Sequence, residues 1–597
     1  MCRRGQWITA SLIIGLSVII VRLFMIQVVS TRAFSSTELD LIQKANEIHQ
    51  KEILIDSGRG AIVDRKGQHF VGEVNLHLLV FPQSEQQMKL KEDQFTKLAK
   101  FIQYPPMLLQ RELTRLTKPT ILTTPDRKEL VLNSIQKAAI EELRIPGIFV
   151  IESDQRMAEN KVAQQVIGRI GQSPQITSKR YQEEMQSGKY TLESRIGITG
   201  LEAAFEPFLH SEAERVLRYT TDGRGKALIG AQVRLKEKKS TDPPYVVVTT
   251  LDKELQAKID QILAEEQVDE GAVVVQEIQT GKVLAMSSRP SGKNNVQDKN
   301  PWDNRAIMEA TPGSIFKTVI AIAALEEEIV RPDTVFHCQG HLEKYKLKDE
   351  REQGHGKITF AEAYAKSCNI VFGQVAEKLG GEKIEAYARR LGLGQEIIWS
   401  GKLFKEGSFR QLPQEQTGVI FASEELKKDA GAVVQAGIGQ RDVKITPLQA
   451  ANLITALFHR GKTLSPRIVT ELRDQNGQVL VSFPNKYLPY SQLLKASTIR
   501  EMQKMMRMVV KDGTATALMK TKWPVAGKTG TAQVGVENNL YHKWMVGFGP
   551  FSHPKYSVAV MIRSVKSSDD ARAKKIFQKV MDEIFLLESQ NNNDRNK

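Results

Sequence analysis

An apolar run from Trp7 to Val29, charged only at Arg22, stands near the start of the chain. About 23 residues at 1.5 Å each suffice to cross a bilayer, so this stretch predicts a membrane-spanning helix. From Ser30 to Lys51 the positions turn polar and predict a helix continuing beyond the membrane. Arg59–Gly67 predicts a short strand ended by a Lys-Gly turn. The charged segments Ser84–Lys100 and Lys179–Ser187 predict helices with solvated faces. After a polar linker, Lys236–Pro244, come a predicted strand, Tyr245–Thr250, and an amphipathic helix, Leu251–Glu266. Gly271–Glu277 and Lys282–Ser287 flank a Thr280-Gly281 turn and predict a hairpin. Ile315–Leu325 predicts a helix buried nearly all round. Trp544–Phe548 and Tyr556–Ile562 predict further strands, and Ala571–Leu587 a helix. Strands at both ends with helices between them predict an α+β unit, an antiparallel sheet with a helical part. The polar tail, Glu588–Lys597, predicts disorder. Internal repeats are not evident.

Length and charge change this picture in two ways. A chain of 597 residues calls for more than one domain. The formal net charge is +15, which in a cytosolic protein would raise nucleic acid as a partner. The apolar run redirects that inference. Arg3 and Arg4 place the N-terminus in the cytoplasm by the positive-inside rule, and everything after Val29 outside. Arg22 lies within snorkelling reach of the outer headgroups. No small-x-small cleavage site follows, so the segment is expected to remain as an uncleaved anchor. The surplus charge then either faces anionic lipid and polymer or is a merely solvated basic surface, and nucleic acid is not expected. Of three cysteines, Cys2 is cytoplasmic in this topology, while Cys338 and Cys368 lie outside, where free buried thiols are expected. The ten histidines are scattered without H-E-x-x-H or a Cys/His cluster, so no metal site is predicted. Gly527-Lys528-Thr529 looks like half a phosphate-binding loop, but position 522 is lysine where that loop needs glycine. No cofactor is predicted.

The candidate chemistry begins at Thr311-Pro-Gly-Ser314-Ile-Phe-Lys317. Pro312-Gly313 makes a turn, so Ser314 sits at a helix start, where free N–H groups and the positive dipole end gather. Lys317, three residues on, shares its face. A lysine in so apolar a helix loses solvation and is driven toward the neutral amine, the state a general base needs. S-x-x-K is weak alone and recurs at Ser134/Lys137 and Ser552/Lys555, in a polar helical segment and a Pro-bearing loop. About fifty residues after Ser314 comes Ser367-Cys368-Asn369, and about 160 further Lys528-Thr529-Gly530-Thr531 in a strand-like stretch. S-x-x-K, S-x-N and K-T-G in that order form the motif set of serine penicillin-recognising enzymes.

With Asn304-Arg-Ala306, Ile438-Gly-Gln440, Thr446-Pro-Leu-Gln449 and Gly527–Gln533 around them, these motifs resemble the class B, monofunctional penicillin-binding proteins. Arg59-Gly-Ala-Ile-Val-Asp-Arg-Lys-Gly67, Gln165–Gly171 and Gly200-Leu-Glu202 resemble pieces of that family's non-catalytic pedestal. Its Arg-x-Tyr-Pro feature is missing, since Arg156 continues as Met157-Ala158, which leaves the local pedestal structure open. The resemblance implies four regions: a cytoplasmic stub and anchor over 1–30, a pedestal over 31–240, a transpeptidase domain over 241–587, and the tail over 588–597. It implies a D,D-transpeptidase that cross-links peptidoglycan stem peptides and is trapped by β-lactams. Ser314 would be the nucleophile and Lys317 its base. Ser367 would relay a proton, Asn369 would hold Lys317 and the substrate amide, and Lys528 would supply a positive field. Thr529 and Thr531 would grip the substrate carboxylate, Gly530 would leave room for its backbone, and the N–H groups of Ser314 and Thr531 would form the oxyanion hole. A glycosyltransferase partner is also implied. A membrane-anchored β-lactamase or β-lactam sensor, and a non-catalytic scaffold of a wall-synthesis complex, remain alternatives. The E-x-x-L-N loop by which class A β-lactamases hydrolyse their acyl-enzyme does not occur between Asn369 and Gly527.

Overall fold

The structure is a computed structural model describing residues 2–29, 50–126, 128–154, 156, 162–222, 227, 234–237, 243–290, 300–404, 406–535 and 539–595. The predicted helix over Ser30–Lys51 lies outside these residues except for its last two, which begin a strand, Gln50–Asp56. The break in the pedestal pattern after Arg156 also falls outside them. The chain divides into two compact units, each made of separated segments.

The first unit takes Met1–Arg59, Glu73–Arg156 and Ser211–Asp242. Its N-terminal helix runs from Cys2 to Phe24 and continues as a wider turn to Val29. Within it Thr9–Gln27 is apolar enough to cross a membrane, with a mean hydropathy of 2.3 and exposed side chains. Strand Arg215–Thr220 is the centre of one three-stranded sheet, between Gln50–Asp56 and Arg234–Glu237. The last of these takes two residues from the predicted linker. Asn75–Val80 is the centre of a second sheet, between Thr120–Ile121 and Ile148–Ser153. Successive side chains of this central strand point to opposite faces. Leu78 and Val80 therefore join Leu98, Leu109 and Leu113 of two amphipathic helices, while Leu79 joins Phe81, Leu217 and Tyr219.

The second unit takes Gly60–Gly72, Met157–His210 and Pro243–Lys597. Five antiparallel strands stand in the order Val283–Arg289, Gly271–Glu277, Tyr556–Val565, Tyr541–Gly549, Ala526–Gln533. The inner strands are apolar at almost every position, because helices cover both faces rather than one. Lys253–Glu265 and Arg572–Arg595 pack together against this sheet, and Pro447–Ala456 packs against its central strands. The final helix continues past Leu587 to Arg595, where the polar composition predicted disorder. No Gly or Pro stops it, and Glu588 is held by Lys555 at 3.0 Å.

The segment Gly60–Gly72 packs within the second unit. Ile62–Val63 pairs in parallel with Val247–Val248 in another five-stranded sheet. Asp64, fully buried, accepts from the N–H groups of Lys66 and Gln68 at 2.7 and 2.8 Å and from Lys253 N–H at 3.2 Å. Its carboxylate thus ties the Lys-Gly turn to the start of a helix nearly two hundred residues later. The pedestal-like stretches Gln165–Gly171 and Gly200–Glu202 also fall in this unit.

Candidate active site

Ser314 lies in a single tight turn, Gly313–Ile315, that leads into the helix Lys317–Glu326. Gly313 has a φ of +55°, open to glycine without strain, and its N–H bonds to Gly439 O at 2.9 Å. The helix is apolar on all sides, so Lys317 is carried into the interior with no exposed surface. Its Nζ donates to Ser367 O at 2.6 Å, Asn369 Oδ1 at 2.7 Å and Ser367 Oγ at 3.3 Å. Burial pulls its pKa down to about 8, opposed by the neighbouring acidic groups Cys368, Glu350 and Asp349. Among the described residues Ser314 Oγ makes no hydrogen bond of its own, although it is nearly buried.

Ser367 occupies the corner between helices Phe360–Ala365 and Asn369–Leu379, with a φ of +60°. That left-handed corner aims successive side chains in different directions. Ser367 and Asn369 line the cleft, and Asn369 Nδ2 donates to Lys348 O at 3.1 Å. Cys368 turns inward and begins the helix.

The third motif is on Ala526–Gln533, the edge strand of the five-stranded sheet. Lys528 is also fully buried, and its Nζ donates to Ser367 Oγ at 2.9 Å and Thr529 O at 3.1 Å. Burial first, and then the neighbouring charge of Lys317, push its pKa well below the usual lysine range. Thr529 shares a hydrogen bond of 2.5 Å with Thr514 Oγ1. A side chain at Gly530 would stand 2.6 Å from Pro312 O, so glycine lets the strand approach the serine turn. Trp544 Nε1 fixes the same turn through Thr311 O at 3.0 Å.

Ser314, Ser367, Asn369, Thr529, Gly530 and Thr531 therefore share the wall of one cleft of about 510 Å³. Lys317 and Lys528 stand behind it, bridged through Ser367. Ser134 is an exposed first-unit residue and Ser552 an exposed loop residue, and neither lines the cleft. Sequence reasoning missed Glu350, Thr514, Trp544 and Lys543, which line the cleft as well. Lys543 stands opposite Thr531 across the pair Ala526–Gln533 and Tyr541–Gly549, in a register set by the loop between them rather than by a motif.

A second group of side chains, scattered in the sequence, gathers near the cleft. Behind the S-x-N corner, ligand atoms of Cys338, Asp349, His355 and Cys368 lie within 4.8 Å of one another. Both cysteines are free and buried, as expected, with Sγ atoms 3.4 Å apart. Cys368 Sγ is 2.9 Å from Asp349 Oδ2, and burial followed by that carboxylate raises its pKa strongly. Two thiols, an imidazole and a carboxylate make a donor set of the kind zinc takes.

Comparison with known proteins matches two family descriptions along the chain. The family described as penicillin binding protein transpeptidase domain matches residues 271–582, and that described as penicillin-binding protein dimerisation domain matches 54–243. The peptidoglycan D,D-transpeptidase MrdA of Haemophilus influenzae is 25% identical over 568 residues, 88% of this chain and 83% of that protein. Stage V sporulation protein D of Bacillus subtilis is 28% identical over 386 residues, 62% of this chain and 57% of that protein. A chain from a peptidoglycan synthase complex that coordinates polymerization and crosslinking superposes with a TM-score of 0.61 and 24% identity, covering 97% of each chain, which shows a shared fold.

Proposed function

The chain belongs to the penicillin-binding protein transpeptidase family, and from that premise we propose that it cross-links peptidoglycan by serine acyl transfer. Ser314 Oγ attacks the carbonyl between the two terminal D-alanines of a stem peptide, and the neutral amine of Lys317 takes its proton. The N–H groups of Ser314 and Thr531 receive the developing oxyanion. Ser367, hydrogen-bonded to both lysines, passes a proton to the departing D-alanine. Asn369 holds Lys317 in place and leaves one face for the substrate amide. The hydroxyls of Thr529 and Thr531 hold the substrate carboxylate, with Lys528 behind them. An amine of a neighbouring stem then takes the acyl group. β-Lactams enter as mimics of the D-Ala-D-Ala end and stay on Ser314.

The observation that carries this reading is the buried Lys317 amine, poised at about 8 and held between Ser367 and Asn369. The helix over Thr9–Gln27 fits a single-pass anchor, with Arg3 and Arg4 inside and the catalytic unit outside. A structural relative comes from a synthase complex that also polymerises glycan, which supports a glycosyltransferase partner here. Mass spectrometry after treatment with fluorescent penicillin tests the chemistry. The adduct is expected on the Ser314 peptide, to persist for many minutes under an unlabelled chase, and to vanish in Ser314→Ala. Label on another serine, or label lost within seconds, would overturn the assignment.

A further inference from the structure

A third lysine enters the cleft from the strand behind the K-T-G motif. Lys543 stands opposite Thr531 in the antiparallel pair Ala526–Gln533 and Tyr541–Gly549. Its Nζ donates to Thr531 Oγ1 at 2.7 Å and to Ser568 O at 2.5 Å, and the residue lines the same cleft as Ser314. It is half-buried, and among the described residues no carboxylate lies within 4.0 Å of its ammonium. Glu350, Asp569 and Asp570 act on it from farther away, and Lys574 opposes them. A partly desolvated ammonium with no ion-pair partner favours an anion at its open side.

The bond to Thr531 gives that anion a chemistry. A threonine hydroxyl that accepts from an ammonium keeps its single O–H to donate elsewhere. The pair therefore presents an ammonium and an outward O–H to the cleft, which suits a group that only accepts, such as a carboxylate. Lys528 is differently placed: its Nζ is spent on Ser367 Oγ and Thr529 O, and it has no exposed surface.

We propose that Lys543 is the specificity-determining cation for the free terminal carboxylate of the donor peptide, which it holds together with the Thr531 hydroxyl. Lys528 is thereby left to Ser367 and its proton. The assignment rests on Ser314 being the acylated nucleophile, so the two are read separately. Full-length protein is treated with benzylpenicillin and with its methyl ester, in which the carboxylate is masked. Binding and acylation steps are resolved for wild type, Lys543→Ala, Lys543→Gln and Lys543→Arg, and melting curves identify variants that fold.

A hydrogen bond between charged groups predicts that Lys543→Ala and Lys543→Gln weaken binding of the free acid about 10- to 100-fold. The acylation step should hold, Lys543→Arg should recover most of the loss, and the ester should react with all four proteins alike within about twofold. If Lys543→Ala does not fold, the comparison of Lys543→Gln with Lys543→Arg decides. Equal losses on acid and ester would reduce Lys543 to a prop for Thr531 and Ser568 and overturn the proposal, as would no loss at all. Wild-type protein with no adduct on Ser314 removes the nucleophile assignment, and the proposal with it.

Discussion

Between the helices Gly381–Arg390 and Glu424–Lys428, Lys427 is buried with two carboxylates, Glu385 at 2.7 Å and Glu424 at 2.5 Å. Those bonds, to Glu385 first, lift its pKa above the usual value. In the cleft, Lys317 and Lys528 are buried more completely, and among the described residues neither has a carboxylate within 4.0 Å. Their partners are a hydroxyl, an amide oxygen and two backbone carbonyls, which orient an amine without fixing its charge. Burial with a counter-ion therefore makes a lysine part of the scaffold. Burial among neutral acceptors pulls a lysine's pKa down, for Lys317 to about 8, where it can gain and lose a proton.

The sharpest way to break this contrast is to exchange each lysine for arginine, which keeps the charge but stays protonated. Lys317→Arg is expected to slow acylation by penicillin at least about 1,000-fold, the upper range for losing a general base. Lys427→Arg should leave it unchanged. Comparable losses at both positions in rapid-quench labelling would show that packing alone explains Lys317.

A smaller effect follows from pH. With its pKa drawn down to about 8, Lys317 is mostly protonated at neutral pH. The acylation rate should fall about tenfold per pH unit below 8 and level off above it. A flat profile between pH 6 and 8 would mean that the amine does not take the proton. The same shift has a consequence for stability. The folded state resists protonation at Lys317 down to about 8, whereas the unfolded chain binds that proton up to about 10.5. Over that window this residue's contribution should increase stability as pH rises, and below it the full cost of burying the charge remains. The smallest effect belongs to the paired lysine. Lys427→Met should lower the melting temperature by about 2–4 °C and leave acylation untouched. Loss of labelling without loss of stability would reverse the roles of the two sites.

The residues that line the cleft were legible because the three motifs name them, and two of the motifs are short enough to be set by local geometry. One helical turn puts Lys317 on the face of Ser314 whatever the rest of the fold does. The interior position of that helix also followed from its composition. Relations set by distant pairing were not legible. Cys338, Asp349, His355 and Cys368 are scattered in sequence and meet because Val335–Cys338 pairs with Gly356–Thr359, bringing Cys338 opposite Gly356. Lys543 reaches Thr531 through a register that depends on the loop between their strands. The segment 60–72 carries a pedestal-like motif, and its pairing with Val247–Val248, within the second unit, could not be read from sequence.

That last pairing also sets a schedule for biosynthesis. Ile62 leaves the ribosome about 185 residues before its partner Val247. At roughly 5–20 residues per second, the strand waits about 10–40 s for the neighbour it will join. During that interval Ile62 and Val63, fully or nearly buried in the finished protein, can pair with His69–Val71 on one edge but have no strand on the other. The second unit cannot be completed in chain order, and a catalytic fragment begun at Pro243 would be made with one edge of Val246–Thr249 unfilled.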